Sequence, residues 1–383
     1  MDNSVLTKEV DPVTALSAVL EEIRDRRDEF EKLTYVPLDM VEKLQVVGAY
    51  RAFVPKAFGG DEKSRWSFSN SSKPPRPPMP PPAGLRVSAS LPPNLAALPS
   101  AMFEAIYGDN PDTVFAGAIF PSQQADAIPG GFKITGRWPY CSGCMGASLI
   151  GAGIKVNESG TSGLPRMAVM PRSDISIKHT WDTVGLTAIG SHDIVADGIV
   201  VPEEWTFVRG APAQRDEPVF CYPAMTLAAQ VLAVVGLGTA CEALDWVKAQ
   251  ALEMPSITGA STLGARAYVQ SEYAVADARL RSARAFFYEA TESAWQTLLK
   301  GDAVQKDEIV RLRMAASHAA NEGAAVAQMA FRIAGTRALT RGHVLNRCLM
   351  GANAVAQHAF LDLGTWMSAG AAMFAQLTPP GYP

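Results

Sequence analysis

The sequence predicts a mostly helical α+β protein: a helical N-terminal region, a small central antiparallel β-sandwich or barrel, and a C-terminal antiparallel helix bundle. Three observations predict it. Apolar residues recur at helical spacing between Pro12 and Val47, strand-length apolar runs crowd residues 132–201, and from about Ala224 the periodicity is helical to the end. The divisions fall at residues 1–112, 113–215 and 216–383.

In the first division, Asp11 and Pro12 read as an N-cap followed by proline at the first helical position. Val13, Leu16, Val19, Leu20 and Ile23 then share one face. Pro37 opens a second helix with Met40, Val41, Leu44 and Val47 on one side, and Gly48 ends it. From Asp61 to Ser100 that pattern is lost. Prolines 74, 75, 77, 78 and 80–82 cluster there among serines, which by composition is a linker or disordered insert. A pair of compensating reading-frame shifts would leave the same trace. Patterning resumes at Leu95.

The central division alternates through Phe132-Lys133-Ile134-Thr135 after Gly130-Gly131. Further runs at 149–154, 167–171, 175–181 and 194–201 are separated by Gly, Ser, Pro and Asp, which argues against βαβ units. The last division opens on a stretch without charge, Pro218 to Cys241, long enough to cross a bilayer. Its Pro223, Gln230, Gly236 and Gly238, and the amphipathic continuation from Glu242 to Trp246, favour a buried core helix instead. An amphipathic pattern runs from Gly264 to Leu299, Lys300-Gly301-Asp302 breaks it, and helical stretches follow at 303–334 and 344–374.

Composition narrows the function classes. The 383 residues carry 34 basic and 38 acidic side chains, a net charge of −4, with 48% apolar and 19% charged residues. This excludes a disordered chain and offers no global attraction for nucleic acid or an anionic membrane. Met1 to Pro12 lacks the basic-then-apolar pattern of a leader, so the expected location is the cytoplasm. P-loop, dinucleotide-binding, zincin and nucleophile-elbow signatures are missing. Five histidines (His179, His192, His318, His343, His358) show no metal-ligand spacing, so no metal is expected. An odd count of five cysteines argues against a disulfide framework. Cys141-Ser142-Gly143-Cys144 has the spacing of a redox or zinc motif, but neither an α/β unit nor a second ligand pair accompanies it. A turn with two buried thiols is the better reading.

Gly136-Arg137-Trp138-Pro139-Tyr140-Cys141-Ser142-Gly143-Cys144 resembles a central segment of the acyl-CoA dehydrogenase fold. More narrowly, it resembles the flavin-dependent monooxygenase branch that includes the two-component 4-hydroxyphenylacetate hydroxylases. Trp181 to Leu186, Gly190 to Ile194, Val201-Pro202-Glu203 and Ala356-Gln357-His358-Ala359 extend the resemblance over roughly 10–60 and 95–375. It implies an N-terminal helical domain, a central β-barrel and a C-terminal four-helix bundle. It also implies hydroxylation of an aromatic or related small molecule by reduced flavin (FAD or FMN) and O₂, through a flavin C4a-hydroperoxide. A separate flavin reductase and a homotetramer complete the expectation; the uncharged helix supplies apolar surface for the tetramer. Neither nucleic acid nor membrane is an expected partner.

The resemblance places the Ser142 hydroxyl at flavin N5, where the plainer role is to satisfy turn backbone. Trp138 and Tyr140 either pack along the isoalloxazine or belong to the core. Ser191 and His192 lie on a loop that the family uses near the flavin. His358 is expected on a helix at the substrate end as an acid/base, since histidine ordinarily titrates near neutral pH. Two departures stand out: no family ligand can be carried onto 64–93, and Met350-Gly351 replace the branch's usual Arg-Asp pair. The bundle also lacks an obvious arginine at the position the resemblance assigns to the flavin phosphate, with Arg266 and Arg279 only as nearby candidates. Two alternatives remain: an acyl-CoA dehydrogenase with its base at Glu242 or Glu253, or an inactive relative that keeps the fold.

Overall fold

The computed structural model describes residues 12–61, 92–156, 165–253, 259, 261–379 and 382. The Asp11 cap and most of the Pro/Ser-rich stretch lie outside the described residues. Helices α1 (Pro12–Asp25), α2 (Arg27–Leu33) and α3 (Leu38–Val46) open the fold. Pro37 is extended and precedes α3, its carbonyl accepting the Val41 N–H at 3.2 Å. The sequence reading missed α2, whose buried residue is Phe30, because one apolar position makes no period. Pro92, Leu95 and Leu98 are buried and lead into α4 (Ser100–Tyr107), so the C-terminal end of the expected linker is core.

Seven strands follow: β1 (Phe115–Ile128), β2 (Gly131–Cys141), β3 (Leu149–Lys155), β4 (Arg166–Pro171), β5 (Ser176–Lys178), β6 (His192–Pro202) and β7 (Thr206–Val208). Their order is β5-β6-β2-β1-β3-β4-β7. The sheet is mixed rather than wholly antiparallel, because β1 and β3 run parallel. Its order leaves β5 and β7 as edges, so the described strands form an open sheet and not a closed barrel. Strand β1 joins two ladders: Phe115 to Ala118 pair with β3, and Ala125 to Ile128 pair with β2. Pro121, with no N–H to give, lies at a register shift within the β1–β3 ladder, after which Gln123 and Gln124 pair with β3 again. Ala, Gly and Pro hide the period of β1, and the sequence reading missed it.

Trp138 locks β2 to β3. Its ring is 0% exposed and its indole N–H donates to the Gly153 carbonyl at 2.8 Å. A buried donor left unpaired would cost about 1–3 kcal/mol, so this bond sets the ring's orientation.

The helical part comprises α5 (Pro218–Cys221), α6 (Ala224–Glu253), α7 (Ala267–Leu299), α8 (Lys306–Ala334), α9 (Val344–Ala356) and α10 (Leu363–Met373). Pro223 separates α5 from α6, and a turn splits the single helix expected over 344–374. Helix α6 is long and apolar enough to cross a membrane, yet 61% of its most apolar window is buried against protein, with α7, α8 and α9 around it. Tyr222 donates to Gln230, whose amide donates to Thr291, so the Gln230 side chain inside this packing is satisfied. Where α6 and α8 meet, Gly323 lies so close that a Cβ there would stand 2.7 Å from the Gly236 carbonyl oxygen.

Three hydrophobic clusters hold the described residues together, and each crosses the divisions read from sequence. One joins Ile23, Phe30 and Met40 to Trp138 and Ile150 of the sheet. A second joins α6 to α9 with Leu186 and Ile189 of the loop before β6. The third ties Val54, Leu95 and Phe103 to Phe115, Phe220 and Leu312.

The Gly323–Gly236 approach is directly testable. Gly323→Ala should lower unfolding stability by about 1–3 kcal/mol, the usual cost of forcing an extra carbon into a packed interior. A denaturant midpoint unchanged from the parent would show that the helices separate freely.

Candidate active site

The site is built where β2 ends beside the start of β6. Cys141 and His192 pair across the two strands. Beyond Cys141 the chain turns, and this turn docks on the loop that precedes β6. The Gly143 N–H donates to the Ile189 carbonyl at 3.0 Å, and the Cys144 thiol donates to the Gly190 carbonyl at 3.5 Å. Both thiols are free and buried, as expected of a structural turn. The docking sets the Ser142 and Ser191 hydroxyls 2.7 Å apart, Ser191 buried and Ser142 half-buried. Tyr140 is held at φ +62°, a left-handed conformation that costs a non-glycine residue roughly 1 kcal/mol or more. Its ring is 70% exposed and meets Trp181 edge-on at 6.3 Å.

His192 anchors the loop. Its ring is 0% exposed, and Nδ1 accepts the N–H groups of Thr180 and Trp181 at 3.2 and 3.1 Å. The neutral ring therefore carries its proton on Nε2, which faces the Thr34 hydroxyl at 3.4 Å. Burial, then the neighbouring His179, push the His192 pKa below its ordinary value. The Trp181 indole donates to the Leu186 carbonyl at 3.1 Å, closing the loop on itself. Farther along, Gly185 rests on α9: a Cβ there would lie 2.3 Å from the Met350 carbonyl oxygen.

His358 stands just beyond α9, in the turn before α10, and not on a helix as expected. It is half-buried, its Nδ1 accepts the Phe360 N–H at 3.2 Å, and its ring lies 4.9 Å from that of Phe360. The neutral ring's proton is thus on Nε2, making that atom a donor. The expected base would have to accept at Nδ1, where a backbone donor already sits.

The structure thus brings Ser142, Ser191 and Tyr140 into one patch. His358 follows the α9 segment on which the neighbouring loop rests. Two expected cofactor contacts are corrected. Trp138 is sealed in the core by its bond to Gly153, and the His192 ring is sealed beneath the loop it anchors. Sequence reasoning missed the anchoring role of His192 because backbone N–H partners leave no trace in residue identity. The left-handed Tyr140 was equally hidden. Other candidates are engaged elsewhere: Arg279 pairs with Glu322 at 2.6 Å, and Arg266 bonds the Ser261 carbonyl. Glu242 is paired with Arg27 at 2.6 Å, and Glu253 is exposed at the end of α6. Among the described residues no group of three or more His, Cys, Asp or Glu could hold a metal.

The depressed His192 pKa has a defined sign. The unfolded chain takes up this proton near pH ~6.5 while the folded state resists it, so stability is full above that pH and declines below it. Denaturant midpoints measured from pH 7.5 to 5.5 should fall for the parent and flatten in His192→Gln. Equal slopes would mean that another group carries the acid sensitivity.

Comparison with known proteins agrees with this geometry. Residues 230–363 match the family described as acyl-CoA dehydrogenase, C-terminal domain. An indole-3-acetate monooxygenase of Pseudomonas putida is 45% identical over 380 residues, covering 96% of this chain and 95% of that protein. An indole-3-acetate monooxygenase of Acinetobacter baumannii is 40% identical, covering 97% and 96%. Among solved structures, a 3-HSA hydroxylase from Rhodococcus superposes with a TM-score of 0.83 at 22% identity, covering 97% of this chain and 98% of that one. XiaF from Streptomyces, solved with FADH2 and glycerol, gives 0.80 at 21% identity, covering 97% and 98%. With relatives this similar over nearly its whole length, the chain belongs to the flavin-dependent monooxygenases of acyl-CoA dehydrogenase-like fold.

Proposed function

We propose that this chain is the oxygenase component of a two-component system that hydroxylates an aromatic acid of the indole-3-acetate class, using reduced FAD or FMN from a separate flavin reductase. The observation that carries this reading is the 45% identity, over nearly the full length, to an indole-3-acetate monooxygenase. The patch formed by Tyr140, Ser142 and Ser191 suits a flavin, since it combines paired hydroxyls with an exposed aromatic ring. The three stretches 1–112, 113–215 and 216–383 would meet around it.

Reduced flavin, when bound, supplies the electrons and the site at which O₂ is activated. The chain's part is positioning. Ser142, held through Ser191, would donate to a ring nitrogen. Tyr140 and Trp181 would exclude water from the cofactor edge. His358 would hold its Nε2 proton toward the oxygen or substrate that reacts, acting as a donor and not as the base that sequence alone suggested. The acyl-CoA dehydrogenase reading is disfavoured because Glu242 is already ion-paired and Glu253 points to solvent.

Purified protein with indole-3-acetate, flavin, NADH and an unrelated flavin reductase should yield hydroxylated product by mass spectrometry, and none when the reductase is omitted. Flavin reduction on adding an acyl-CoA thioester would overturn the proposal. In the same assay Ser142→Ala should release more H₂O₂ per reduced flavin. His358→Ala should lose about 10²–10³-fold in product formation, the usual worth of one preorganised donor. His358→Gln, which keeps a donor, should recover part of that loss, whereas a base role predicts no recovery.

We further propose a homotetramer in the cytoplasm, without membrane or nucleic-acid partners. Most of the apolar window of α6 is buried within this chain, whereas Leu363, Met367, Met373 and Phe374 leave an apolar face exposed along and just past α10. Light scattering at micromolar concentration should give four chains, and Met367→Glu should weaken the assembly. A monomeric parent would contradict this.

A further inference from the structure

Arg209, directly after β7, and Arg313, near the start of α8, converge on one aromatic ring beside His358. Their guanidinium carbons lie 5.8 and 5.9 Å from the centroid of the Phe360 ring, on which the His358 ring also packs. Neither arginine pairs with a carboxylate among the described residues. Arg209 is half-buried, and its Nε and Nη2 reach the Met225 sulfur at 3.2 and 2.9 Å, a weak acceptor. Arg313 is 4% exposed. Its Nε has no partner, and its Nη2 makes long contacts of 3.5 and 3.4 Å to the Phe360 carbonyl and the Thr365 hydroxyl. Asp362, the acidic group whose field reaches Arg313, uses its carboxylate to accept the Gly364 N–H and cap α10.

One buried and one half-buried cation with such poor acceptors are costly, because desolvation is offset only by ring contacts, Phe360 for both and Tyr382 at 5.1 Å for Arg313, and not by ion pairing or strong hydrogen bonds. Burial pushes the Arg209 pKa down to about 10 and lowers that of Arg313. An arriving anion would remove this deficit. The neighbouring side chains of Phe360 and Met225 are apolar and suit the body of an aromatic ligand rather than a small hydrated ion.

We propose that Arg209 and Arg313 receive the carboxylate of an arylacetic acid substrate and so set its position relative to His358. This rests on the monooxygenase reading above and adds how the substrate is recognised: two guanidiniums for the acid group, with Phe360 against the ring. It makes both arginines specificity residues.

The test compares indole-3-acetate with neutral 3-methylindole, in binding to the flavin-loaded protein by equilibrium dialysis and in kcat/KM with the reductase. Removing one partner of a buried charge pair typically weakens binding by about 30-fold or more. Arg209→Met and Arg313→Met should each reduce the preference for the acid over the neutral compound by that factor, and Arg209→Lys should restore part of it. A parallel fall for both compounds, or an unchanged preference, would overturn the proposal. Should Arg313→Met fail to fold by circular dichroism, the half-buried Arg209 decides the matter alone. If the parent turned over neither compound, the substrate reading would fail. Dialysis with phenylacetate against 2-phenylethanol would then judge the arginines by themselves, and equal affinity of the parent for the two would refute their role.

Discussion

Two backbone N–H groups, those of Thr180 and Trp181, converge on Nδ1 of one buried histidine, and the candidate site depends on that convergence. His192 can serve as a double acceptor only while neutral, and burial keeps it so. The loop it holds carries Leu186 and Ile189 into the helical core and delivers Ser191 to Ser142. Neighbouring bonds reinforce the anchor. Thr180 donates to Asp193 at 2.7 Å, and Arg137 pairs with the same carboxylate at 2.6 Å. The strain at Tyr140 persists because the chain on either side of it is fixed: a strand ladder before, and a turn docked on the loop after.

Segments from both before and after it in the chain pack against the candidate site, and the cores explain why. Thr34 and Tyr35, just after α2, approach His192 and Gly190 from the N-terminal side. Gly185 meets α9 from the other side. Because each hydrophobic cluster spans a boundary between divisions, moving one part would open apolar surface in another, so the hydroxyl pair and the His358 turn are held against a shared interior. The loop approaches the Met350 backbone too closely for a Cβ at Gly185, and Gly351 is itself buried.

The chain's own side chains do little bond-making in this reading. In the proposed reading they would contribute placed polar groups, with Ser142 and His358 each held by a second group. The role proposed for the histidine rests on which nitrogen is already occupied. The same logic separates the arginines: Arg279 has its carboxylate, whereas Arg209 and Arg313 do not.

Much was legible in the sequence because it depends on local pattern. Helical periodicity located α1, α3 and the long helices, alternation located β2 and β6, and the segment around Ser142 identified the family. The buried character of α6 also followed from its composition, since glycine, proline and glutamine suit a packed helix better than a lipid-facing one. Strand β1 was invisible because small residues and Pro121 erase alternation, and its two ladders exist only once β2 and β3 are in place. Residue type likewise could not separate Trp138 as core from Tyr140 as surface: both are aromatic residues of one strand, and only the Gly153 carbonyl and the left-handed turn divide them. The proton position on His358 and the unmet arginines at Phe360 were decided by tertiary structure for the same reason. Each depends on which groups from distant segments arrive within hydrogen-bond distance, and a sequence does not record distances.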